Sequence, residues 1–187
     1  MADKNRFYIN YFDQIDATRA KALMSICTDI ITQRKPDELY FLFSSPGGSV
    51  QAGITLYNFL RSLPAKVIMH NTGSIDSIAT VIFLAGEERY ASHSSSFLFH
   101  GVQANFPANT GLTLHQIRER ASGLAEDENK IARVITERST IKDKEIRKLF
   151  SEGESKNPDF ALENGFITSI CDVEIPKDSP MITVNIN

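Results

Sequence analysis

Short apolar runs alternate with amphipathic stretches along this chain, and a turn signal sits at nearly every junction. Residues 6–12, Arg-Phe-Tyr-Ile-Asn-Tyr-Phe, are aromatic and β-prone and read as a first strand. Asp16 then reads as an N-cap. From Ala17 onward Ala20, Leu23, Met24, Cys27, Ile30 and Ile31 recur at three- and four-residue steps, which predicts one apolar helix face, closed by Lys35-Pro36-Asp37. Glu38 to Phe43 reads as a strand, followed by a Pro-Gly-Gly turn. A helix from Ser49 carries Val50, Ile54, Tyr57, Phe59 and Leu60 and stops at Pro64. Lys66 to His70 reads as a short strand and residues 71–77 as a tight Gly-containing turn. Ser77 opens a helix through Leu84 that is apolar nearly all round, so it should be buried, with Gly86 as its stop.

The second half of the chain is more polar. Short strands are expected at Arg89–Ala91 and Phe97–His100, and a loop over 101–111, which holds Gly101, Asn105, Pro107, Asn109 and Gly111. A long helix is predicted from Thr113 to Arg138. Its apolar set is sparse, with Glu126 to Lys130 filling the gap between Leu124 and Ile131, so part of it should project into solvent or against a neighbouring subunit. A helix over Lys142–Phe150, a polar loop over Ser151–Asp159, a helical turn over Phe160–Asn164 stopped by Gly165, and strands at Phe166–Val173 and Met181–Ile186 complete the pattern. Repeated strand–turn–helix units without internal self-similarity imply an α/β layered fold.

Composition narrows the function classes. With 187 residues and 42% hydrophobic content the chain suits one domain, taken as residues 1–187. The net charge is −3 and no Lys/Arg block stands out, so neither nucleic acid nor an anionic membrane is expected as partner. No leader and no bilayer-length apolar run is seen, which reads as a soluble, cytoplasmic protein. Cys27 and Cys171 lie in apolar runs and read as two buried free thiols. No metal-ligand spacing joins His70, His93 or His115 to one another or to the cysteines, and no cofactor is expected. The polar turn at Ser92 and Ser94–Ser96 suggests no chemistry.

Candidate chemistry gathers at two strand–turn–helix junctions. Phe41-Leu-Phe-Ser-Ser-Pro-Gly-Gly-Ser-Val50 and Asn71-Thr-Gly-Ser-Ile-Asp-Ser-Ile-Ala-Thr80 each run from an apolar strand through a turn into a helix, whose start has free N–H groups. Gly47 and Gly48 permit a close backbone approach. Ser77 stands where turn becomes helix, and Phe97-Leu-Phe-His100 ends a strand on a histidine. A serine, a histidine and Gly-rich turns are the parts of an acyl-transfer site. The plainer reading makes Ser77 an N-cap, His100 a core histidine and Gly47-Gly48 a simple turn.

At these residues the chain resembles the proteolytic subunit of the Clp protease. The similarity covers residues 6–173. It is carried by Ser45-Pro-Gly-Gly-Ser49, the Gly73–Ser77 turn with the apolar helix ending in Leu84-Ala-Gly86, Phe99-His100, and Ala161-Leu-Glu-Asn-Gly-Phe-Ile167, in that order. The resemblance implies the α/β ClpP/crotonase fold, a repeated ββα superhelix with a projecting long helix, or handle. It implies a serine endopeptidase acting on short or unfolded polypeptides, with Ser77 as nucleophile and His100 as general base. The N–H groups of Gly48 and Ile78 would form the oxyanion hole, and Ser49 and Val50 would pair with substrate. It further implies a homo-oligomeric ring.

The sequence also departs from that family. The triad acid falls on Gly153 in an ungapped count, flanked by Glu152 and Glu154, with Asn157 nearby; Glu154 is taken as the candidate acid. Asp76 replaces the family's Ala before the nucleophile. Only Met1–Asn5 precede the first strand, where the family carries a longer segment that meets an unfoldase ATPase, which argues against dependence on one. A missing acid is also similar to the Ser–Lys signal-peptide peptidases, for which Lys130 would be the base. Two further readings remain: a catalytically silent ring or adaptor subunit, and an acyl-CoA enzyme on the same fold.

Overall fold

The computed structural model describes residues 5–104 and 111–185. Its elements are β1 (Arg6–Phe12), α1 (Ala17–Arg34), β2 (Glu38–Ser45), α2 (Val50–Ser62), β3 (Lys66–Asp76), α3 (Ala79–Phe83), β4 (Glu88–Ala91), β5 (Ser96–Leu98), α4 (Leu114–Arg138), α5 (Asp143–Glu152), β6 (Ser155–Lys156), α6 (Pro158–Glu163), β7 (Ser169–Ile170) and β8 (Met181–Thr183). They form a sheet in the order β6-β5-β3-β2-β1-β8, with β4 branching from β3 and pairing β7. All pairings are parallel except β5 with β6.

Alternation along the strands sorts side chains to two faces. Ile9, Tyr11, Leu39, Phe41, Phe43, Val67 and Met69 share one core with the buried stripe of α1 (Leu23, Cys27) and of α2 (Leu56, Leu60). On the opposite face Tyr8, Tyr40 and Ile68 form a smaller cluster with Leu42 and Tyr90. The starts of the three longest helices are capped by side chains. Asp16 accepts from Arg19 N–H, Ser49 from Ala52 N–H, and Thr113 forms a capping box with Gln116.

Strand β3 departs from expectation. The stretch read as a turn over 71–77 lies largely within an eleven-residue strand. Its first half pairs with β4 (Ile68 to Asn71) and its second half with β5 (Ser74 to Asp76), on the same side. The Asn71 side chain bridges the change of neighbour: its Nδ2 donates to Ser96 O at 2.8 Å and its Oδ1 accepts from Gly73 N–H at 3.0 Å. A side chain thus supplies the hydrogen bonds a continuous ladder would have made, which local composition does not announce.

Other differences are smaller. The polar stretch at 151–159 is not all loop, because Ser155 and Lys156 pair with Leu98 and Phe97 as β6. The strand expected over Phe166–Val173 is only Ser169–Ile170, since Phe166 turns into the core. The expected strand at Phe97–His100 ends at Leu98, and that at Met181–Ile186 at Thr183, with Ile186 outside the described residues. Part of the 101–111 loop, residues 105–110, likewise lies outside them. Cys27 is buried, and burial pushes its thiol up to about 12; Cys171 is only partly covered, so one of the two expected buried thiols is not fully so. The long helix projects as expected: in α4 only Ile131, Ala132 and Ile135 are buried, and Leu114 and Ile117 stand out at 63% and 50% exposure.

Candidate active site

Two turns meet at the end of β3. Ser77 follows the strand directly and adopts φ 58, a left-handed conformation that costs an L-residue about 1–2 kcal/mol. It is held from both sides. Its N–H donates to Leu98 O at 2.9 Å, and its carbonyl accepts from Thr80 N–H at 3.0 Å and from Thr80 Oγ1 at 2.6 Å. The serine therefore does not open the helix, as its sequence position suggested. It stands alone on a strained corner, with Ile78 as the cap and the wholly buried α3 beginning at Ala79. Such a corner lifts a side chain clear of the sheet end.

The Gly47-Gly48 turn presses on this corner. A Cβ on Gly47, at φ +87, would stand 2.7 Å from both Asp76 O and Ser77 Cβ. A Cβ on Gly48 would stand 2.1 Å from Ile15 O. Ile15 donates to Gly47 O at 2.8 Å and accepts from Ser49 N–H at 2.7 Å, a parallel bridge that straddles Gly48. The N–H and C=O of Gly48 thus point away from Ile15. Among the described residues no acceptor takes the N–H of Gly48 or of Ile78. Ser49, which caps α2, is exposed and Val50 is half-buried.

His100 arrives by period-two alternation. Phe97 and Phe99 point into an aromatic cluster with Phe166, at 5.4 and 5.3 Å between ring centroids, while Leu98 and His100 lie partly exposed on the other side. Asp76 pairs with Leu98, so His100 lies two residues past that pairing. Burial pushes the Asp76 carboxyl above the ordinary range, with the Ser74 hydrogen bond and the charge of His100 pulling it back. Asp76 is therefore a carboxyl at the end of β3, not a charge at a helix start.

The His100 ring is turned to main chain: Nδ1 is 2.8 Å from Gly101 O. Among the described residues no hydrogen bond joins the Ser77 hydroxyl to the imidazole; such bonds often tighten only when substrate is present. Gly153 closes α5 as its C-cap. It lies two residues before Ser155, which pairs with Leu98. Glu154 is exposed and accepts from Lys156 Nζ at 3.1 Å. Glu152 pairs with Lys148 and Lys156, and Asn157 caps α6. Lys130 holds Asp127 at 3.1 Å, and Asp127 also accepts from Gln51 Nε2, tying α4 to the first turn of α2. Sequence reasoning missed the partner of the imidazole, the Gly101 carbonyl, because a main-chain group leaves no residue-type signal.

The other histidines lie elsewhere. His70 is buried between Tyr40 OH and Cys171 O at 2.7 and 3.0 Å, His93 meets Asp172 on the surface, and His115 is exposed. Among the described residues no group of His, Cys, Asp or Glu is placed to hold a metal ion, and no helix is long and apolar enough to cross a membrane.

Comparison with known proteins accords with this architecture. The Clp protease family model matches residues 4–174. The ATP-dependent Clp protease proteolytic subunit 2 of Pseudomonas aeruginosa is 34% identical over 73 residues, covering 38% of this chain and 36% of that protein. The protein of the same name from Tropheryma whipplei is 23% identical over 163 residues, 83% of this chain and 87% of its own length. Among solved structures, a mutant ClpP1 from Listeria monocytogenes superposes with a TM-score of 0.72 at 19% identity, covering 89% of this chain and 91% of the other. The fold is thus the ClpP/crotonase type.

Proposed function

The chain belongs to the Clp protease family, and on that footing we propose that it is a serine endopeptidase cleaving short or unfolded polypeptides through an acyl-enzyme. Ser77 Oγ attacks the scissile carbonyl, and His100 takes its proton and returns it to the leaving amine. The N–H groups of Gly48 and Ile78 receive the developing oxyanion, a role worth about 3–4 kcal/mol for a single donor. An extended peptide lies along Gly48, Ser49 and Val50 as an added strand. The observation that carries this reading is the packing of Gly47 against Ser77, with the N–H groups of Gly48 and Ile78 unpartnered among the described residues.

The tautomer suits the role. A carbonyl oxygen can only accept, so His100 Nδ1 carries the proton toward Gly101 and Nε2 keeps its lone pair for the serine. For Glu154 to serve as the acid it must leave Lys156; Glu154→Gln reads this directly through kcat. The exposed stripe of α4, with Leu114 and Ile117, fits contact with a second copy in a homo-oligomeric ring. The relatives' names include ATP dependence, which runs against the expectation of independence from an unfoldase ATPase, and such a partner is therefore a further part of the proposal.

Labelling with a serine-reactive phosphonate tests the nucleophile. Wild type should label and Ser77→Ala should not, and equal labelling of both ends the reading. A wild type that forms rings yet neither labels nor cleaves is the silent ring subunit instead. Light scattering that finds monomer at every concentration removes the ring.

A further inference from the structure

The Gly101 carbonyl that holds His100 is one half of a peptide unit whose other half is the Val102 N–H. That N–H donates to Glu128 Oε1 at 3.1 Å. Glu128 lies half-buried on α4, and the preceding residue, Asp127, is bonded to Gln51. Gly101 N–H in turn donates to Phe150 O at 3.1 Å, so the loop is pinned on both sides. The close approach depends on the absence of a side chain: a Cβ on Gly101 would stand 2.8 Å from Glu128 Oε1.

A peptide is planar and conjugated, and hydrogen bonds in series polarise one another. A carboxylate drawing on the N–H side makes the carbonyl on the other side a stronger acceptor. We propose that Glu128 is a positioning residue for His100, acting through the Gly101–Val102 peptide. Carboxylate, amide and imidazole form one chain: Glu128 Oε1 accepts from Val102 N–H, and Gly101 O accepts from His100 Nδ1–H. The carboxylate lends its charge across one peptide group. In this way the site keeps the required tautomer without drawing on Gly153, which has no side chain. The inference rests on His100 being the general base.

Two readouts separate this inference from the peptidase reading. The first needs no turnover. Long-range nitrogen–proton spectra of the full chain labelled on its 4 histidines, assigned with His100→Gln, report the tautomer of His100. Wild type should show Nδ1–H. Glu128→Ala and Gly101→Ala should shift His100 toward the Nε2–H form. A wild-type tautomer in both overturns the inference.

The second readout is peptide cleavage. Glu128→Gln keeps an acceptor oxygen but loses the charge, so kcat should fall about five- to tenfold with KM unchanged, the difference between a charged and a neutral hydrogen bond. Unchanged kcat in Glu128→Gln overturns the role of the charge, and a rise in KM alone shows a structural role only. If wild type neither labels nor cleaves, the peptidase reading falls and the tautomer comparison decides the relay by itself.

Discussion

Replacing Gly47 with alanine should separate the two properties that the site requires of this turn. The added Cβ would lie 2.7 Å from Asp76 O and from Ser77 Cβ, about 0.7 Å inside ordinary contact. At φ +87 an alanine also sits in a left-handed backbone that costs about 1–2 kcal/mol. Neither neighbour can yield cheaply, since one is backbone and the other a strained corner held by Leu98 and Thr80. Overpacking of this kind adds about 1–3 kcal/mol, for a combined loss of about 2–5 kcal/mol. For a chain of this size the thermal midpoint should drop by roughly 5–15 °C. The catalytic effect should exceed the stability effect. A shift approaching 1 Å carries the Gly48 N–H off the oxyanion position, and kcat/KM should fall about a hundredfold. Steady-state cleavage of a fluorogenic peptide, at a temperature where both proteins are folded, measures this. Gly123→Ala is the control. It makes the same chemical change in α4, where a Cβ meets nothing within 4 Å, and should stabilise by about 0.5–1 kcal/mol with unchanged activity. A folded Gly47→Ala protein within about threefold of wild-type kcat/KM would refute the claim that this turn positions the oxyanion donor.

Three further outcomes are expected. Arg89 is buried and donates to the carbonyls of Phe166, Gly86, Arg138 and Gly165 at 2.7, 2.9, 3.1 and 3.2 Å, and burial draws its guanidinium down to about 10, still charged at neutral pH. Arg89→Met orphans these acceptors and should cost about 3–5 kcal/mol, read as a fall in denaturation midpoint. His70 is held below its ordinary pKa by burial. The unfolded chain therefore binds the extra proton first, so stability should be full above about pH 6.5 and decline as pH falls, by at most about 1.4 kcal/mol per pH unit, with His70→Gln flattening the curve. A Cβ on Gly153 meets no atom within 4 Å, and Gly153→Asp tests whether a carboxylate at this position reaches His100. It should cost about 1 kcal/mol in stability and restore kcat to Glu128→Gln; no recovery in the double variant would show that residue 153 does not face the imidazole.

The sequence by itself determined the order of elements and the candidate reactive groups, because these depend on local rules. Apolar periodicity marked α1, α2 and the buried α3. Asp16, Ser49 and Lys35 punctuated them through capping and turn geometry. The run Phe97-Leu-Phe-His100 marked a strand ending on a histidine, and the structure sets that imidazole on the side away from the phenyl rings. Only tertiary structure could decide that residues 71–76 extend a strand, since the hydrogen bond that mends its ladder comes from Asn71 to Ser96 across the sheet. The same holds for Gly47 pressing on Asp76 O at the Ser77 corner and for Glu128 reaching the peptide behind the imidazole. Each of these joins residues far apart in the chain through backbone groups, which every residue carries alike, so no residue type betrays them until the chain is folded.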